Sequence, residues 1–265
     1  MTRTTHFLVC LGICLALAAC RSGPSSSGPS SSGSSASGEE EASTLERKAD
    51  LLSGLLGRRH TAAQALDELM SALPDRVWLT EVVYDAAGTQ IKGNAPTNNL
   101  LSDYLLRLEG SSSLADMILR GTALKTARGR EWVEFFLQAA VRDPGGAPAP
   151  AGAAPSARLE ELEKAFAPRQ DTAQMLRELQ MLALDAGLQM TRFAPGVEIP
   201  GEFTSELAVA IEVAGDRADL ERYLFGLAAL TRLWLVEQFS FRAVSAEDPR
   251  SEVRASIAAK THFTR

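Results

Sequence analysis

Hydrophobic and polar positions along this chain change period several times, and each change marks an element. In HTAAQALDELMSALP the apolar positions Ala62, Leu66, Leu69 and Leu73 recur at helical spacing until Pro74. VWLTEVVYD then switches to β-branched and aromatic residues, Ala86-Ala87-Gly88 supplies a turn, and TQIKGNA reads as a second strand. Thr97 is a plausible N-cap before NNLLSDYLLRLEG, where Leu101, Tyr104, Leu105 and Leu108 form a stripe and Gly110 a stop. LADMILRGTALKT and REWVEFFLQAAV close the unit around Arg128-Gly129. In the last strand Val133, Phe135, Leu137, Ala139 and Val141 alternate with Trp132, Glu134 and Gln138.

The order then repeats. DTAQMLRELQMLALDAG reads as a helix ending at Gly187, and LQMTRFA and EFTSELAVAIEVAG as strands. Asp216 is placed to cap DRADLERYLFGLAAL, with Leu220, Tyr223, Leu224, Leu227 and Leu230 on one face. TRLWLVEQFSFRAV and SEVRASIAAKTHF close the second unit. Each body is helix, two strands, helix, two strands, so the expected fold class is α+β: two tandem ferredoxin-like domains, with helices on one face of an antiparallel sheet. On parity, Trp132, Phe136 and Trp234 fall opposite the main apolar sets, where the other body or another protein would cover them. Glu237 interrupts the Leu233, Leu235, Phe239, Phe241 face and suggests a bulge or an edge.

Composition divides the rest. Arg21 to Gly38 is nearly all Ser, Gly and Pro, too poor in apolar residues to order itself. STLERKADLLSGLLGRR carries a stripe of Leu45, Leu52, Leu55 and Leu56 and reads as a helix. APAPAGAAPSA, after Asp143-Pro144-Gly145-Gly146, reads as a linker. The expected domains are therefore 1–19, 20–42, 43–142, a linker over 143–157, and 158–265. A formal net charge of −6 leaves no basic stripe for nucleic acid.

At the N-terminus, Arg3 and His6 precede an apolar run, Phe7 to Ala19, that is shorter than a spanning helix needs. It reads as a secretory signal. Leu17-Ala18-Ala19-Cys20 resembles the lipobox of bacterial lipoproteins. The resemblance implies a signal peptide over 1–19, a lipid on the Cys20 thiol, and a tether over 20–42 holding a periplasm-facing body off the membrane. Cys10 and Cys14 leave with the signal, so the mature chain keeps no free thiol.

Catalytic signatures are absent from the sequence: it has no HExxH, CxxC, Gly-rich phosphate loop or GxSxG. His60 and His262 read as solvated surface residues. Acylphosphatases share the expected fold, but DAAGTQIKG lacks their phosphate-cradling loop with arginine. No catalytic residue, metal site or cofactor is assigned.

RRHTAAQALDELMSALPDRVWLTEV and IKGNAPTNNLLSDYLLRLE resemble the periplasmic domain of the pilus assembly family PilN. GLQMTRFAPGVE and ELAVAIEVAGDRADLERYLFGLAALTRLWLVEQFSF resemble its partner family PilO. That resemblance implies a non-catalytic scaffold in a type IV pilus, or related type II secretion, alignment subcomplex at the inner membrane. Its partners would be other assembly proteins of PilN, PilO or PilP type and pilins, or a second copy in a homodimer. The chain departs from both families in showing neither their cytoplasmic tail nor their transmembrane helix. An envelope lipoprotein serving another complex or ligand is the alternative reading.

Overall fold

Alternating strands and amphipathic helices assemble edge to edge in the structure, a computed structural model that describes residues 34–85, 88–127, 129–142, 155–164, 166 and 172–264. The expected signal, Cys20, most of the tether and most of the linker lie outside these residues. The described residues form six helices and eight strands.

After α1 (Ser34–Gly57), the first half runs α2 (Thr61–Ser71), β1 (Trp78–Asp85), β2 (Gly88–Ala95), α3 (Asn98–Glu109), β3 (Leu114–Ala127) and β4 (Arg130–Val141). Following α4 (Pro155–Lys164), the second half repeats the pattern. It comprises α5 (Thr172–Ala186), β5 (Gln189–Pro200), β6 (Thr204–Gly215), α6 (Arg217–Ala229), β7 (Trp234–Ala243) and β8 (Val253–Thr264). All eight strands join one sheet in the order β3-β4-β2-β1-β7-β8-β6-β5, with every neighbouring pair antiparallel. Within each half the order is third, fourth, second, first. Even irregularities correspond: the first strand shifts register around Thr80 in one half and around Thr191 in the other.

The helical stripes meet one face of this sheet. Leu101, Tyr104 and Leu108 of α3 are buried, as are Leu220, Tyr223, Leu224 and Leu227 of α6. Thr97 caps α3 by accepting from the Leu100 N–H at 3.4 Å. Asp216 occupies the N-cap position of α6, yet its side chain makes no capping bond. A single apolar cluster runs through both halves, from Leu66 and Phe135 to Ile211 and Ile257. Gly93 permits close packing there, because a Cβ would meet the Phe135 ring and lie 2.8 Å from the Trp78 carbonyl oxygen.

A smaller cluster sits on the opposite face. Ala49, Leu52 and Leu55 of α1, with Leu159 and Phe166, cover Leu233 and Leu235 at the start of β7. The apolar stripe read in α1 thus has its partner within the chain. The helix starts at Ser34, so it overlaps the C-terminal part of the stretch expected as tether.

Parity fails at Trp234. Pairing with β8 shifts register between Val236 and Gln238, so Glu237 sits in a bulge, as its interruption of the apolar face suggested. One extra residue reverses the alternation, and Trp234 joins Phe239 and Phe241 in the helix-side core at 1% exposure. It was expected on the opposite face; Leu233 and Leu235 point there instead.

Candidate interaction surface

His60, at the N-cap position of α2, is exposed and makes no capping bond. Burial, then the Arg59 charge, lower its pKa. His262 departs from the expectation of a solvated residue. It lies opposite Glu206 on the sheet face that α1 covers, and it is only 7% exposed. A cavity of about 610 Å³ beside it is lined by Asp50 and Leu55 of α1, by Arg58 just after it, and by Thr204 and Glu206. Burial lowers the His262 pKa, with Glu206 opposing, which favours the neutral imidazole. Among the described residues no cluster of three or more His, Cys, Asp or Glu could hold a metal ion.

Two acids have structural work. Glu68 of α2 accepts from the Ser113 N–H at 3.0 Å, from Ser113 Oγ at 3.1 Å, and from the hydroxyls of Ser111 and Ser112. Burial alone would raise its pKa, but these bonds hold the carboxyl below its ordinary value. They tie α2 to the loop entering β3. Glu221 of α6 is pushed up, by burial first and then by Asp67 of α2. That carboxyl pair bridges helices of the two halves.

The contact between halves is itself a built interface. Glu81, Val82, Val83 and Tyr84 of β1 pair with Arg242, Phe241, Ser240 and Phe239 of β7. Tyr84 and Phe239 stack with ring centroids 5.0 Å apart and planes 14° from parallel. Trp78 Nε1 and Asn94 Nδ2 donate to the Ala246 carbonyl at 3.0 and 2.8 Å, and Arg217 Nε donates to the Leu79 carbonyl at 3.0 Å. Arg59 donates to the Leu230 carbonyl and Arg242 pairs with Glu81. Sequence patterning missed this seam, because it records which face a residue takes and not which strand edge meets which.

Away from α1 the second face is open. Phe136 is 37% exposed there, with Lys92 Nζ 5.1 Å from its ring centroid. Lys92 and Lys125 lie 3.5 and 3.7 Å from Glu134. A trough of about 420 Å³ runs beside Phe136, lined by Glu81, Val83, Gln90, Lys92 and Arg120. Half-buried Trp132, opposite Lys125, shares this face. The structure therefore brings Trp132 and Phe136 together and sends Trp234 inside. Cys20 lies outside the described residues.

These features define an α+β protein built on one antiparallel sheet, with part of one sheet face left open among the described residues. Residues 64–141 match the family model described as fimbrial assembly protein (PilN), and residues 171–264 match that of the type IVa pilus alignment subcomplex PilO C-terminal domain. The chain carries a PilN domain followed by a PilO domain. It is similar to the type IV pilus inner membrane component PilO of Pseudomonas aeruginosa, with 28% identity over 113 residues, 40% of this chain and 54% of that protein. The chain thus spans about half the length of this relative. It also matches the crystal structure of the type 4 fimbrial biogenesis protein PilO from Pseudomonas aeruginosa, at 24% identity and a TM-score of 0.35, over 42% of this chain and 87% of that one.

Proposed function

We propose that this chain is a non-catalytic scaffold of a type IV pilus, or related type II secretion, alignment subcomplex in the cell envelope. The observation that carries the reading is the succession of a PilN and a PilO domain in one polypeptide. Each half is read as a ferredoxin-like module, supported by the shared third-fourth-second-first strand order under two helices. Among the described residues no helix is long and apolar enough to cross a membrane. In this reading a lipid on Cys20 holds the body at the membrane. Other pilus assembly proteins dock on the open face at Trp132 and Phe136.

Deleting the gene should abolish surface pili or pilus-dependent secretion, and cross-linked purification of the chain should recover other assembly proteins. Normal piliation and secretion, with none of those proteins recovered, would sink the reading. Anchoring has its own test: Cys20→Ser should stop incorporation of labelled palmitate and release the chain from membranes. Continued labelling refutes the lipid assignment.

A further inference from the structure

The helix α1, which closes one end of the second sheet face, is held lightly. Ala49, Leu52 and Leu55 pack on Leu159, Leu233 and Leu235 in a small cluster, separate from the core that runs through both halves. Arg47 lies 3.6 Å from Glu202 and Lys48 pairs with Glu163, but the first pair is mostly exposed and contributes little. A segment held by so few buried side chains can open while the rest of the fold stays closed.

Beneath that helix lies His262, buried between β8, β6 and α1. Its Nδ1 is enclosed and has no hydrogen-bond partner among the described residues. A neutral ring tolerates this, because it can carry its proton on Nε2 and leave Nδ1 a bare acceptor. An imidazolium is protonated on both nitrogens, and its Nδ1–H would find no acceptor. The surrounding charges give little relief. Glu206 of β6 and Glu237 of β7 would attract a cation, but Lys260 of β8 already lies 3.6 Å from the first and 2.9 Å from the second. α1 and the residue after it bring one acid and one cation, Asp50 and Arg58, and so add no net charge. The docked position therefore favours the ring uncharged.

We propose that His262 is a pH-operated latch for α1: the neutral ring lets the helix dock on the sheet, and protonation releases it. Burial puts the docked ring below the ordinary value of 6.5, to which a released and hydrated ring returns. Docking is then at full strength above about pH 6.5. It weakens by about tenfold for each pH unit below that, until the docked ring itself takes a proton. Release uncovers Leu233 and Leu235 and extends the open sheet face to the start of β7. The proposal rests on the contact between α1 and the sheet and does not depend on the pilus reading.

Hydrogen–deuterium exchange of the full chain in mild detergent, corrected for the intrinsic pH dependence of amide exchange, tests this from about pH 8 down to about pH 5. Protection across residues 49–57 should fall by about tenfold per pH unit below about 6.5, while β4 and β6 keep theirs. His262→Gln and, separately, His262→Leu should remove that pH dependence, with circular dichroism establishing that each is folded. His60→Gln, at the exposed N-cap position of α2, should retain it. In the unaltered chain, nuclear magnetic resonance should place the His262 titration below 6.5. If neither His262 variant folds, that titration and the unaltered chain's profile decide. The proposal is overturned by protection that does not change with pH, by a parallel loss in β4 and β6, or by a ring titrating at 6.5 or above. A fall that survives both His262 substitutions, or vanishes with His60→Gln, overturns it equally.

Discussion

Replacing Phe239 by alanine probes whether the two halves share one core or merely lie on one chain. Phe239 is 1% exposed, stacks on Tyr84 across the seam, and belongs to the cluster that runs through both halves. Removing a buried phenylalanine ring costs about 3–5 kcal/mol, counting lost transfer energy and the cavity left behind. For a body of this size each kcal/mol is worth about 2–4 °C, so the melting temperature should fall by about 6–20 °C. Urea titration by far-ultraviolet circular dichroism and by tryptophan fluorescence should report one shifted transition, because Trp78 and Trp132 lie in the first half and Trp234 in the second. Phe136→Ala, on the open face, loses chiefly its contact with Lys92, about 0.5–1 kcal/mol. A double-mutant cycle of Tyr84→Leu with Phe239→Leu isolates the seam, and the stacked pair should couple by about 0.5–1.5 kcal/mol. Zero coupling, or a Phe239→Ala cost below about 1 kcal/mol, would refute the argument.

Two acids should respond to pH with opposite signs. Glu68 is lowered in the folded chain, so its stabilisation is present above the unfolded value near 4.5 and is lost as pH falls through the folded value. Glu68→Gln should therefore lower the melting temperature at neutral pH, by a margin that narrows in acid; a pH-independent margin counts against the serine cluster. Glu221 is raised, so its contribution is present below 4.5 and is lost as pH rises through the folded value. Glu221→Gln should raise the melting temperature at neutral pH and lose that advantage in acid, and destabilisation at neutral pH would contradict the Asp67 contact. Gly93→Ala should cost about 1–3 kcal/mol through overpacking on Phe135, measurable by urea titration, and a neutral result would mean the ring can move freely.

Local chemistry made most elements readable. The stripe of α3, its Thr97 cap and the alternation of β4 depend on neighbours within a few residues, and all three agree with the structure. What escaped depends on distant chain. Leu188 to Ala194 reads as a strand, but β5 runs on through Pro195 and Gly196, because an edge strand loses no ladder bond at a proline. The interruption at Glu237 does mark a bulge, and the bulge reverses the face of Trp234, which simple alternation does not register. His262 alternates outward correctly, and what buries it is α1, some two hundred residues earlier. On the candidate surface, parity located Trp132 and Phe136, whereas the β1·β7 seam has no local signature.

That seam also bears on the proportions in which the two halves are supplied. Two separate polypeptides would meet in proportions set by their relative expression, and each strand edge would spend part of its life unpaired. Placing both edges on one chain raises their effective concentration to the order of millimolar and removes the dependence on abundance. Translation itself then delivers the half matched by the PilN model and the half matched by the PilO model in equal number, and each keeps the other as its neighbour while β1 and β7 remain zipped.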